Sequence, residues 1–418
     1  MKTKLKGMMF GVVAGFTCTV IVGMMVNRNL ALEGTYTYLK LFNEVLSLVR
    51  NSYVDEVETR SLVRGAWEGM IEEMDPASEY LTAEEYAAYT AFRERARRNP
   101  GLADTGIRVA RKAGMLLVVS VKPGSSAAAS GITPGDRVRR IGERIAGAIS
   151  LAEAESLLSG AGGSKVFVSV ARRTEPRKIE TELEMTKTPL PDPTFEIVDR
   201  DAGLGVIRIP HFESGMSTQI SRELSRASKG GIRKLLVDLR GNAWGSMDEA
   251  VSASSLFVGS GVVARLLGRD GEERELRAES GAPIWSGRLV MLIDLSTSGP
   301  AELFAAALRD HPATGGVVVG ETSFGSGAEQ EMMALKDGGW LKLSVRKYLS
   351  PDGTAWHGKG LVPSTTMIVS QDNLSWSERQ QKQLDQAIDH LRKLTADAGR
   401  NESDAARLEA HPPGETAG

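Results

Sequence analysis

Two short runs hold the side chains best suited to covalent chemistry. Ser296-Thr297-Ser298-Gly299-Pro300-Ala301-Glu302 gathers hydroxyls and small residues just ahead of an alanine-rich apolar stretch, and offers Ser298 as a candidate nucleophile. A serine hydroxyl attacks near neutral pH only when a neighbouring base takes its proton. A lysine can do this only as a neutral amine held in a desolvated pocket. The second run, Thr322-Ser323-Phe324-Gly325-Ser326-Gly327, is a glycine-punctuated turn, and Lys336 and Lys342 lie on the segment after it. His211 and His357 are the other bases to weigh, against the commoner role of a surface or loop histidine. No group of Cys, His and Asp has metal-ligand spacing, so neither a metal nor a cofactor is expected.

A third run, Leu236-Val237-Asp238-Leu239-Arg240-Gly241-Asn242, ends an apolar stretch and reads as a strand passing into the start of a helix. Together, from Gly203 to Ser364, these runs resemble the core of the carboxy-terminal processing peptidases, peptidase family S41, which cut with a Ser-Lys pair. The resemblance implies a nucleophile in the middle of a Ser-Ala-Ser-Ala-Ser-Glu run and a lysine in a Phe-Gly-Lys-Gly turn. Anchored on Glu302, the attacking position falls on Gly299, and the lysine position falls on Ser326. In relatives the third run closes with Pro-Gly-Gly, whose first glycine offers a backbone N–H to the oxyanion. Here Ala243-Trp244-Gly245 stands instead, and a tryptophan ring is expected to crowd the space of the substrate carbonyl. Gln330 matches a glutamine that orients the lysine in some relatives. The resemblance therefore implies a serine-peptidase scaffold with no intact catalytic pair. The alternative is an active serine endopeptidase, cleaving near substrate carboxyl termini through a displaced nucleophile at Ser298.

The elements that must position these runs alternate strand and helix, which argues for an α/β core over 195–370. Leu204–Ile209, Ile232–Leu239, Leu289–Leu295 and Gly316–Val319 read as strands; Ser217–Ala227, Met247–Phe257 and Ala301–Leu308 read as helices. Residues 101–187 change to short β-branched runs broken by glycine and proline, a β-rich α+β pattern. Pro123-Gly124-Ser125-Ser126-Ala127-Ala128, followed by Gly131-Ile132-Thr133-Pro134-Gly135-Asp136, resembles a PDZ domain. Such a module takes extended peptides, usually carboxyl termini, as an added strand. The resemblance implies a carboxylate loop at Thr105-Gly106-Ile107-Arg108, against the plainer alternative of a β-turn.

Residues 31–98 show apolar positions at helical spacing (Tyr38, Leu39, Leu41, Phe42, Val45, Leu46, Leu48, Val49), a second helix through Leu62, Ala66, Trp67 and Met70, and a cap at Thr82-Ala83-Glu84-Glu85. In the family this region can take part in forming a homodimer. Ahead of it, Lys2, Lys4 and Lys6 precede an uncharged stretch from Met8 to Val26. This reads as a single-pass signal anchor within 1–30, favoured over a cleaved signal peptide. It would leave the soluble part outside the cytoplasmic membrane, periplasmic in a Gram-negative cell. The multidomain chain is completed by a helix over 371–396 and a tail, 397–418, expected to be disordered. The formal net charge of -2 over 418 residues argues against nucleic-acid binding. The lone Cys18 excludes an intramolecular disulfide. The expected partners are protein or peptide carboxyl termini and a cell-envelope protease or partner protein.

Overall fold

A computed structural model describes residues 36–98, 102–112, 114–172, 178–369 and 374–409. The expected span Met8–Val26, with Cys18, lies outside the described residues. Among those described, no helix is long and apolar enough to cross a membrane. The chain divides into two compact units, 1–70 and 71–418. The first holds the helix 36–52, with Tyr38, Leu39, Leu41, Phe42, Val45 and Leu48 exposed.

In the second unit a six-stranded sheet runs in the order Thr194–Asp199, Leu204–Arg208, Lys234–Asp238, Arg288–Ile293, Val317–Gly320, Thr365–Thr366. Its first pair is antiparallel and the rest are parallel. Side chains alternate between faces along each strand. Leu235, Val237, Leu289, Met291 and Ile293 pack with the helices Met216–Lys229, Met247–Val258 and Pro300–Asp310. Leu204, Leu236, Val290, Leu292 and Val319 pack with Ala387 and Leu391 of the last helix, Trp376–Glu409. Near-continuous apolar runs such as Leu235-Leu236-Val237 follow from burial on both faces. Because Lys234–Asp238, Arg288–Ile293 and Val317–Gly320 are adjacent and parallel, their carboxyl ends deliver the three motif-bearing loops to one edge, where crevices form in such sheets.

A second sheet joins Glu79–Leu81, Ala328–Ala334, Trp340–Leu349, Val262–Gly268 and Glu273–Arg277. The helix Ala83–Arg98 begins with the expected capping box: Glu85 N–H donates to Thr82 Oγ1 (3.2 Å) and Thr82 N–H to Glu85 Oε2 (2.8 Å).

The β-rich region forms an antiparallel sheet in the order Ile107–Lys112, Met115–Val121, Arg137–Ile141, Lys165–Ala171, Lys178–Glu184, so Ile107–Lys112 is an edge strand. Helices Ser126–Ala129 and Leu151–Leu157 start at Ser125 and Ser150, whose hydroxyls accept N–H groups of Ala128 and Glu153. The region has its own core around Ile107, Val118, Ile141, Val168 and Leu183.

The last helix departs from the expected break at 397. Its backbone continues to Glu409, because the Ala, Glu, Arg and Leu residues of this stretch are strong helix formers that outweigh the single Gly399. A buried fork fastens this helix to the sheet. Arg240 Nε and Nη2 donate to Asp238 Oδ1 and Oδ2 (2.8 and 2.7 Å), while Nη1 reaches the Gln380 carbonyl (2.5 Å) and Gln383 Oε1 (3.3 Å). Burial works against the Asp238 carboxylate, but the Arg240 guanidinium overcomes it and holds its pKa below the usual range. Arg240→Met should strand that charge and lower stability by about 3–5 kcal/mol, read from the urea unfolding midpoint.

Candidate active site

The helix Pro300–Asp310 opens with proline at its first position, where a missing N–H costs nothing. Its cap, Gly299, has φ +59° and ψ −111°, a backbone that L side chains rarely adopt. Glu302, in the first turn, is fully buried, and its carboxylate gathers four donors. Oε2 accepts the N–H groups of Gly299 (2.9 Å) and Ser326 (2.7 Å). Oε1 accepts the Gly325 N–H (2.6 Å) and the Ser323 hydroxyl. Burial raises the pKa of Glu302, and these four donors oppose the rise. The two positions at which the family pattern calls for nucleophile and base are thus brought together by their backbones, on a single carboxylate oxygen.

Gly299 has no side chain to attack with, and the Ser326 hydroxyl is no base. Ser298 is nearly buried and its N–H donates to the Asn242 carbonyl (2.9 Å). Among the described residues no lysine amine or imidazole lies within hydrogen-bonding distance of Ser298 Oγ. Lys342 is paired with Glu79 (3.1 Å) in a strand register away from the turn. Burial pulls its pKa down, but the Glu79 charge prevails and keeps the ammonium protonated. Lys336 is exposed in the hairpin turn between Ala328–Ala334 and Trp340–Leu349. Gln330 donates to the Ala328 carbonyl (3.0 Å) and Ser344 Oγ (3.4 Å), without a lysine to orient.

The histidines are committed elsewhere. His211 Nδ1 accepts the Glu213 N–H (3.0 Å), and burial lowers its pKa. His357 Nδ1 accepts the Gly327 N–H (3.3 Å) and its Nε2 stands 3.6 Å from Asp75 Oδ1. Burial alone would raise the Asp75 pKa. The imidazole, with hydrogen bonds from Ser78 and Ala77, holds it well below the usual carboxylate range. The His357 Nε2 is buried without a hydrogen-bond partner, and its Nδ1 faces the Gly327 backbone and not the Ser326 hydroxyl. Among the described residues no cluster could hold a metal ion.

The Trp244 ring lies against the β-rich region, with Lys122 Nζ 4.8 Å and the Arg108 guanidinium 5.3 Å from its centroid. Its Nε1 donates to Ser120 Oγ (3.3 Å), which in turn donates to the Gly241 carbonyl (2.7 Å). Both cations are drawn to the ring face by its quadrupole. Gly245 is required for a different reason: a Cβ there would lie 2.0 Å from the Phe212 carbonyl. Lys112, which the motifs gave no reason to single out, reaches from the edge strand to the Phe324 carbonyl (3.3 Å) and ring (5.3 Å).

The supposed carboxylate loop is corrected in part. Ile107 and Arg108 line a cleft of about 620 Å³, together with residues of the helices Ala83–Arg98 and Leu151–Leu157, Ser159 and Trp244. Thr105 is fully buried, and its N–H donates to the Leu158 carbonyl (3.0 Å). The Gly106 N–H donates to Asp104 Oδ1 (2.8 Å). What approaches Gly106 closely is Ser125, whose Cβ would stand 2.2 Å from an added Cβ, at a φ of +83°.

Comparison with known proteins bears on both regions. A family model described as Peptidase family S41 matches residues 203–367, and one described as Activating protease CtpB N-terminal domain matches residues 24–85. The carboxy-terminal processing protease CtpA of Bacillus subtilis is 28% identical over 323 residues, 77% of this chain and 67% of that protein. A probable CtpA-like serine protease of Staphylococcus aureus is 27% identical, over 84% of this chain and 69% of that protein. Among solved structures, the photosystem II D1 C-terminal processing protease superposes with a TM-score of 0.63 at 23% identity, covering 78% of this chain and 92% of that one, a likeness of fold.

Glu302→Gln must turn an NH₂ toward a pair of donors and should cost roughly 2–4 kcal/mol, measured by thermal and urea unfolding. Gly106→Val should destabilise the β-rich region by roughly 2–6 kcal/mol through strain and the Ser125 clash, visible as early loss of amide-exchange protection in residues 103–127.

Proposed function

The chain belongs to peptidase family S41, and from that premise we propose that it is a catalytically inactive member, a pseudoprotease that captures extended polypeptide and acts as a scaffold or regulator of an envelope partner. One observation carries this reading: Gly299 and Ser326 stand where the family pattern calls for nucleophile and base, both joined to Glu302 through their backbones, and among the described residues no amine or imidazole is in reach of Ser298. In a related triad system, loss of nucleophile or base alone costs on the order of 10⁶ in turnover. Peptide capture is assigned to residues 101–187 as a PDZ-like module. That assignment is supported by the open edge strand Ile107–Lys112, the neighbouring helix Leu151–Leu157 and the cleft beside them. Placement outside the cytoplasmic membrane rests on the lysine-flanked apolar stretch Met8–Val26.

The full chain should leave an unstructured protein substrate intact over hours, as read by gel and mass spectrometry. Gly299→Ser combined with Ser326→Lys should give weak cleavage. A side chain at 299 has room, since its Cβ would meet only Met247 Cε at 4.0 Å, although the positive φ adds strain of about 1–3 kcal/mol. Wild-type cleavage that Ser298→Ala abolishes would overturn the proposal in favour of a displaced nucleophile.

A further inference from the structure

A cleft beside an edge strand can receive either a chain terminus or an internal segment, and its charges decide between them. A terminal carboxylate needs free N–H donors at the loop entering the strand. Here the Thr105 N–H is spent on the Leu158 carbonyl and the Gly106 N–H on Asp104. Asp104 is itself a lining residue of the cleft, so an arriving carboxylate would meet a resident one already holding the donor. Lys122 lies 2.6 Å from Asp104 Oδ2 and is occupied by it.

The remaining charge in the cleft has the opposite sign. Arg93 and Arg97, exposed on the helix Ala83–Arg98, and Arg108, exposed on the edge strand, all line it. Among the described residues none of the three has a carboxylate within ion-pair distance: Arg93 lies over the Tyr89 ring (6.0 Å) and Arg108 over Trp244. Two of the three lining acids are already answered, Glu94 by Arg98 (3.3 Å) and Asp104 by Lys122, which leaves Glu155 alone against three arginines. What is left is positive charge from arginines, which bind carboxylates in planar, two-point contacts.

We propose that this cleft takes an internal, extended segment of a partner polypeptide bearing acidic side chains, with the edge strand Ile107–Lys112 pairing its main chain and Arg93, Arg97 and Arg108 receiving its carboxylates. The inference rests on the peptide-capturing reading above and names the ligand class for that same cleft.

The test uses the full chain and fluorescein-labelled ten-residue peptides in an anisotropy titration. One peptide carries two central glutamates and an amidated carboxyl terminus; a second replaces both glutamates by glutamine; a third keeps the glutamates with a free carboxyl terminus. The glutamate peptides should bind at least roughly tenfold more tightly than the glutamine peptide, amidation should make no difference, and the preference should shrink with salt. Arg93→Glu with Arg97→Glu, both exposed and tolerant of change, should remove the preference for glutamate while leaving the glutamine peptide unaffected. Asp104→Asn keeps the hydrogen bond to Gly106 but removes the charge, and should raise affinity for the free-carboxyl peptide alone. Saturable binding that is indifferent to glutamate, or that amidation weakens more than glutamine substitution does, overturns the acidic-segment inference and spares peptide capture. Absence of saturable binding by all three peptides overturns both.

Discussion

The Glu302 carboxylate lies fully buried where two turns, distant in sequence, meet at the end of the parallel sheet, and it accepts from both. A buried carboxylate is tolerable only when its oxygens are saturated with donors, so the Ser296–Gly299 run and the Ser323–Ser326 turn must keep their backbones in register with it. This requirement acts on main-chain N–H groups and is indifferent to the side chains at 299 and 326. Gly299 keeps its positive φ because the Glu302 and helix-cap contacts over-determine it.

Around that anchor, the β-rich region is fastened to the same loops through polar contacts. Lys122 and Arg108 flank the Trp244 ring, Ser120 bridges Trp244 to the Gly241 carbonyl, and Lys112 caps the Phe324 carbonyl. Each contact is modest, with a cation over an exposed ring contributing about 0.5–1 kcal/mol. Several of them converge on loops that in a peptidase would face substrate. Trp244 thereby stands as a packing post between two parts of the unit.

Much of this was legible in the residues. Strands such as Lys234–Asp238 and Arg288–Ile293 announced themselves as β-branched and leucine runs, and the helix start at Thr82 by its capping chemistry. The meeting of the two runs was legible in part, because Glu302 sits at fixed spacing from Gly299. What could not be read were destinations set by distant parts of the chain. The Trp244 ring meets cations at 108 and 122, and His357 stands 3.6 Å from Asp75. No local spacing encodes such meetings. The tail from 397 was expected to be disordered from its overall composition, whereas the helical backbone continues to Glu409.

The last helix sets the order in which this protein can be completed. One face of the central sheet, carrying Leu204, Leu236, Val290, Leu292 and Val319, is closed by Ala387 and Leu391, residues made well after every strand they cover. During synthesis the sheet therefore waits with an apolar face open to water, and its parallel strands are themselves slow to pair. The nascent chain is most prone to self-association in that interval. That interval closes only when Leu391 has emerged and Arg240 has found Gln380 and Gln383.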